Sequence, residues 1–402
     1  MNEWNETILS EVLVDKGYIR GPFGSALKRG DMKEDGIPVY EQQHAIYNSR
    51  EFRYYIDEQK FNEMKRFQVR KDDLIISCSG TVGKVSIIKD DDPNGIISQA
   101  LLLLRVDTDK VLPLYLKYFF SSKVGYNAIV SRSSGSVQVN IAKRNVIEQI
   151  PIRLPQLETQ RKIVGVLNSI DEKIKENEKI NNNLEQQLCA IFKELFSEYI
   201  DSLTESSTTL GDLVTSIDNR GKTPPLSSEP TNYPIIDVRA LSGTSRIVDY
   251  NNCTKYVLEE TYNSWFRSGH PKPYDILIST VGSLAEMKIY LGNIGCIAQN
   301  VVGFRSKGIS PLYIYQYLNY IKNDLVSYNI GSVQPSIKVT HIVKHPIYVP
   351  SEEKLNSFDI IARAMTEEIY SNSKEIEKLK LLRDTLLPKL MSGEIDVSDI
   401  EF

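Results

Sequence analysis

The sequence predicts an α+β protein made of two pseudo-repeated mixed α/β units separated by two long antiparallel helices that form a coiled coil. Three observations predict it: an internal repeat, a strand-and-turn texture within each copy, and a heptad pattern after each copy. Gly135-Ser136-Val137-Gln138 recurs as Gly331-Ser332-Val333-Gln334, and Pro113-Leu114-Tyr115-Leu116 as Pro311-Leu312-Tyr313-Ile314. Asp73-Leu74-Ile75-Ile76-Ser77 recurs as Asp275-Ile276-Leu277-Ile278-Ser279, and Pro151 to Pro155 as Pro346 to Pro350. The order is kept and the offset drifts only between 195 and 202 residues. So long a period marks a duplicated domain, not a solenoid.

Within the first copy, β-branched runs at Asp73 to Ser77, Val85 to Ile88 and Ile96 to Leu104 alternate with Gly, Asp and Pro, which reads as strands and turns. A helix is expected from Pro113, where proline suits the first turn, to about Val130, with a counterpart from Pro311. Tyr313, Tyr315, Tyr317 and Tyr320 on that counterpart read as an apolar face against the sheet, with a base-stacking platform as the alternative.

The first long helix carries Ile163, Leu167, Ile170, Ile174, Asn177, Asn181, Leu184, Leu188, Ile191 and Leu195 at alternating steps of four and three, the spacing of a coiled-coil seam. The second gives Phe358, Ala362, Met365, Ile369, Asn372, Ile376 and Leu379, then Leu386 and Leu390 after a slip near Leu382. About 36 residues at ~1.5 Å each give a rod of about 55 Å, and such helices need partners. Asn177 and Asn372 share the offset of the flanking Pro segments, so they are expected to face each other across the seam and fix its register, with both pointing to solvent at a local irregularity as the alternative. The domains expected are 1–156, a long helix over 157–200, a second copy over 201–350, and a long helix and tail over 351–402. The segment Asp201 to Thr209 reads as a linker.

The net charge of −4 does not suggest a nucleic-acid binder, but the acid is localised. Residues 1–156 carry 22 basic against 20 acidic side chains and 201–350 carry 13 against 12, whereas 351–402 carry 7 against 12. A near-neutral domain can still present one basic face. The four cysteines lie far apart, which argues against zinc and fits a reducing, cytoplasmic setting. No apolar run approaches the ~20 residues of a membrane helix.

Catalytic signatures are missing. Ser79-Gly80-Thr81-Val82-Gly83-Lys84 has Cys78 where a phosphate-binding loop needs its first glycine. No zinc-protease, nucleophile-elbow or dinucleotide motif occurs. Glu352-Glu353-Lys354 sits at a helix start, where acidic residues are capping chemistry. What repeats is polar loops. Ser and Gln can contact phosphates or base edges, yet the same loops can be structural turns with glycine at positive φ.

The Gly-Ser-x-Gln loop, the Ile150 to Pro155 exit, Glu158 and Lys162 at the helix start, and the ends Leu188 to Phe196 and Thr385 to Glu394 resemble the specificity subunit of Type I restriction–modification enzymes. Ile75 to Lys84 is similar to that family's recognition-domain loop, and the second copy departs from it at Ser279 to Ala285. The resemblance implies that each globular copy is a target recognition domain reading one half of a bipartite site in double-stranded DNA. It implies that the helices set the gap between the halves. It further implies a non-catalytic chain whose partners are two modification subunits and restriction subunits, with S-adenosylmethionine, ATP and magnesium held by those partners. Candidate DNA contacts are then Lys28, Arg29, Ser79, Thr81, Lys84, Ser136, Gln138, Asn140, Lys143 and Arg144, and in the second copy Arg220, Lys222, Ser283, Ser332, Gln334 and Lys338. The competing class is a scaffold that holds two protein partners and reads no DNA.

Overall fold

A computed structural model of the chain describes residues 4–23, 26–133, 139–203, 207–292 and 294–400. The chain divides into two units, Met1–Glu172 with Leu379–Phe402, and Lys173–Lys378. Each unit therefore holds one globular copy together with part of each long helix.

In unit 1 a four-stranded antiparallel sheet runs in the order Leu13–Arg20, Leu101–Val106, Leu74–Ser77, Val85–Ile87. Its central strands are buried, in keeping with their continuous aliphatic runs. The predicted run Ile96 to Leu104 is not one strand. Ile96–Ile97 pairs in parallel with Ile37–Tyr40 in a second, three-stranded sheet, and the chain turns at Ser98 to Ala100 before Leu101. Periodicity alone could not show this break, because both halves are buried.

The helix predicted from Pro113 to Val130 is two helices, Pro113–Ser121 and Lys123–Val130. Ser122 breaks it: its backbone is extended, and its hydroxyl accepts from the Gly125 N–H as the cap of the second helix. A side chain at Gly125 would strike the Phe119 carbonyl, at 2.0 Å, so the tight corner requires glycine.

Unit 2 repeats this plan in the order Val214–Ile217, Val301–Ser306, Asp275–Ser279, Met287–Tyr290. The repeat extends to a buried ion pair. Arg105 meets Asp73 at 2.6 and 2.8 Å, and Arg305 meets Asp275 at 2.6 and 3.0 Å. On Pro311–Tyr320, Tyr313 and Tyr317 are buried and donate to the carbonyls of Tyr348 and Pro346. Tyr313 also packs on Phe192, Phe196 and Phe358 of the long helices. These tyrosines are core, and they face the helices as well as the sheet.

The long helices are Leu157–Asp201 and Glu352–Ser392. Within each unit they run antiparallel. Asp171 meets Arg383 in unit 1, and Asn181 meets Asn372 in unit 2. Ile163, Leu167, Ile170, Ile174, Asn177, Leu188, Phe358, Ile369, Asn372 and Ile376 are buried, and Leu184, Met365 and Leu379 are half-buried. Past the slip, Leu381 and Leu382 are exposed while Leu387 and Leu390 are buried. The expected Asn177–Asn372 pair is not formed. Asn177 donates to Glu375 at 2.8 Å, and Asn372 donates to Asn181 at 3.0 Å. The helices cross with the seam position after Asn177, one turn on, opposite Asn372, so equal offset in the repeat does not give equal depth in the pairing.

The second helix ends in a Schellman turn. Gly393 takes φ 78°, and the N–H groups of Glu394 and Gly393 donate to the carbonyls of Lys389 and Leu390. Each globular copy is tied to its helices by a carboxylate. In unit 1, Asp171 is met by Tyr118 at 2.8 Å, Arg383 at 3.1 Å and Lys117 at 3.3 Å. Burial opposes its ionisation, but Lys117, Tyr118 and Arg383 outweigh that and hold its carboxyl below the usual range. In unit 2, Glu185 holds the fully buried Arg246 through both oxygens.

Candidate nucleic-acid interface

The shared site is a turn built by the main chain. In unit 1 the Ser77 hydroxyl donates to the Thr81 carbonyl and accepts from the Lys84 N–H, while the Gly83 N–H donates to the Ser77 carbonyl. Gly80 and Gly83 sit at φ 66° and 86°, where glycine is favoured. The turn docks on the segment after the Gly-Ser-Val-Gln loop: Gly80 N–H donates to Val139, Ile141 N–H donates to Cys78, and Ser79 meets Asn140 at 2.7 Å.

Unit 2 builds the same turn although its sequence departs there. Ser279 bonds the Ser283 carbonyl and the Glu286 N–H, and the Ala285 N–H donates to Ser279. Gly282 N–H donates to Pro335 and Ile337 N–H donates to Thr280. Ala285 adopts φ 55° in the place of Gly83, so the geometry persists at the cost of some backbone strain. The charge does not persist. Lys84, 4.8 Å from the Tyr126 ring, is replaced by Glu286, which pairs with Lys322 at 3.0 Å.

Ser136 and Gln138 lie outside the described residues. Their counterparts Ser332 and Gln334 are exposed, and between them Val333 is 97% exposed, so the loop projects into solvent. Gly331 is not at positive φ, contrary to the turn reading. It is glycine because a side chain there would lie 1.8 Å from the Gln334 carbonyl oxygen. Asn329 closes the loop by accepting from the N–H groups of Gly331 and Ser336.

Asn140, Lys143 and Arg144 share a cleft of about 700 Å³ in unit 1 with residues that sequence reasoning missed, Arg20, Phe23 and Arg66. Arg20 lies over Phe23, Arg66 over Phe67 and Arg144 over Tyr18, at 5.2 to 5.9 Å. Phe23 is 67% exposed, so its ring face is open to the cleft. Arg29 lines a neighbouring cleft with Lys33, Gln42, Gln43 and Gln99. The clefts adjoin, since Gly21 packs on the Ser98 carbonyl and the Ser79 N–H donates to Gln42. Basic groups, aromatic faces and amides along one groove suit phosphates and base edges.

The model of the Type I restriction modification DNA specificity domain matches residues 21–186 and 205–381. The chain belongs to this family. Among curated relatives, the Type I restriction enzyme MjaIX specificity subunit of Methanocaldococcus jannaschii is 24% identical over 82% of this chain and 79% of its own. The HindI specificity subunit of Haemophilus influenzae is 23% identical over 81% and 87%. The crystal structure of an S subunit from M. genitalium is similar in fold, with a TM-score of 0.58 at 16% identity over 97% of this chain and 96% of that one.

In both specificity domains an arginine candidate is held by a nearby carboxylate, Arg144 by Glu148 at 2.8 Å in the first. In the second, Arg220 is locked by Asp218 at 2.5 to 3.0 Å, so its charge is largely answered within its own loop. It shares a cleft with Arg267, whose guanidinium donates to the Arg220 carbonyl. Lys222, Ser283 and Lys338 are exposed, as are Lys28 and Thr81 in the first domain. The missed Arg20 carried one legible signal: Arg20-Gly21 recurs as Arg220-Gly221 at the repeat offset. Gln42 and Arg66 carried none, because only the fold brings them to the groove. Among the described residues no helix is long and apolar enough to cross a membrane, and no cluster of His, Cys, Asp and Glu could hold a metal.

Proposed function

We propose that this specificity chain directs a Type I restriction–modification complex to an asymmetric, bipartite site in double-stranded DNA, each unit reading one half. The observation that carries the reading is the turn shared by both units, whose side chains differ while its backbone does not. In unit 1 it borders a groove of arginines, aromatic rings and amides. On this reading phosphate contacts fall to Arg20, Arg66, Lys143 and Arg144, and base contacts to the amides and hydroxyls, including Ser79, Asn140 and the Gln334 loop. The paired helices set the gap between half-sites and dock two modification subunits. Those subunits bring S-adenosylmethionine, restriction subunits bring ATP and magnesium, and this chain performs no chemistry.

The near-neutral charge of both copies supplies few phosphate contacts, so the isolated chain binds DNA weakly and gains affinity with its modification subunit. Methylome sequencing of cells expressing both should give one bipartite, non-palindromic motif, and gel shifts should favour it over random duplex. A palindromic motif would contradict different half-specificities. An assembled complex indifferent to DNA would return the chain to the scaffold class.

A further inference from the structure

Among the described residues, the Gln42 side chain is held at one end only. Its carbonyl oxygen accepts from the Ser79 N–H at 2.9 Å and the Cys78 N–H at 3.2 Å. Two backbone donors fix which end of the amide is oxygen and occupy both lone pairs. Gln42 lines the cleft of about 910 Å³ that also holds Gln43, Gln99 and Arg29. What it offers a ligand there is its NH₂ group, a pure donor.

The turn does not require this pin. Tyr40 pairs with Ile97 as Ile236 pairs with Ile297, which makes Val238 the counterpart of Gln42. Unit 2 forms the same turn with valine there, Thr280 N–H donating to the Asn300 carbonyl as Cys78 N–H donates to Ala100. The amide is therefore surplus to the backbone geometry.

We propose that Gln42 is a specificity-determining residue of unit 1, a fixed donor that selects a base edge presenting acceptors, guanine O6 and N7 or thymine O4. Glutamine reads adenine by donating and accepting together, and here the acceptor is already committed to the main chain. The inference rests on the reading of unit 1 as a DNA-recognition domain.

The test is selection from a randomised duplex library by the full chain assembled with its modification subunit, comparing wild type, Gln42→Val and Gln42→Glu. Valine, the unit 2 residue, should keep the melting temperature and the other positions of the motif but lose roughly tenfold or more of discrimination at one base pair. Glutamate keeps an oxygen on the two backbone N–H groups and turns the exposed end into an acceptor. It should move the preference at that pair to a base bearing an amino group, cytosine or adenine. An unchanged motif in both variants, or a uniform loss of affinity without a change of motif, would overturn the role of Gln42 and leave the recognition reading standing. Failure of wild type to enrich any sequence would overturn the recognition reading, and Gln42 with it.

Discussion

Asn372 donates its side-chain amide to the Asn181 carbonyl oxygen across the seam of unit 2, 3.0 Å away. Asn181 in turn donates toward Ser373 and the Ile369 carbonyl, at 3.4 and 3.5 Å. Both residues are buried where the heptad pattern elsewhere places aliphatic side chains. Replacing one asparagine by leucine leaves the other without its partner and should cost about 1–3 kcal/mol. Replacing both should recover that loss or exceed it, since a buried polar pair trades stability for register. Urea denaturation of the two single variants and the double variant measures this, and additive losses in the double variant would contradict it.

The Asp73–Arg105 and Asp275–Arg305 pairs should be among the most sensitive points of the two sheets. Each carboxylate is nearly fully buried, at 1% and 3% side-chain exposure. Arg105→Met strands a buried charge and should destabilise unit 1 by about 3–5 kcal/mol. Native-state hydrogen exchange should show the loss in Leu74–Ser77 and its neighbours.

Lys288 predicts a pH dependence. Burial pushes its ammonium down from 10.5 to about 8, against the pull of Glu185 and Glu286. It donates to the carbonyls of Gly243 and Ser245. Between about 8 and 10.5 the unfolded chain holds this proton and the folded chain does not, so this group's penalty on stability falls as pH rises. Whatever stability Lys288→Met has relative to wild type at pH 7 should therefore fall by about 1 kcal/mol by pH 9. An advantage that grows with pH would show the opposite linkage.

The groove residues predict a salt effect. Lys143→Ala or Arg66→Ala should weaken binding about equally for all sequences and reduce the slope of log affinity against log salt by roughly 1 each. Gln334→Ala should instead cost ~1–3 kcal/mol on the specific site if it reads a base. A small loss shared by all sequences would assign it to phosphate or to the loop itself.

Much of this was legible because it depends on local pattern. The duplicated strands, the Pro113 and Pro311 helix starts and the heptads of Ile163 to Leu195 all announce themselves within a few residues. Breaks set by tertiary contact were not legible: Ser122 divides a helix because Gly125 meets the Phe119 carbonyl, and Ser98 divides a strand run because its ends join different sheets. The seam partner of Asn372 was misplaced for the same kind of reason, since register is a property of two helices and the repeat offset belongs to one chain. Half of the groove was hidden because Arg20, Gln42 and Arg66 lie far in sequence from Asn140, Lys143 and Arg144.

The turn after Ser77 and its counterpart after Ser279 are shaped by amides, carbonyls and one inward serine hydroxyl, and so their outward positions are open to change. Between the two copies the exposed Lys84 has become Glu286 with the same backbone bonds in place. A frame of this kind separates the bonds that fold the turn from the exposed side chain it carries, so the charge displayed there can reverse while the turn itself persists.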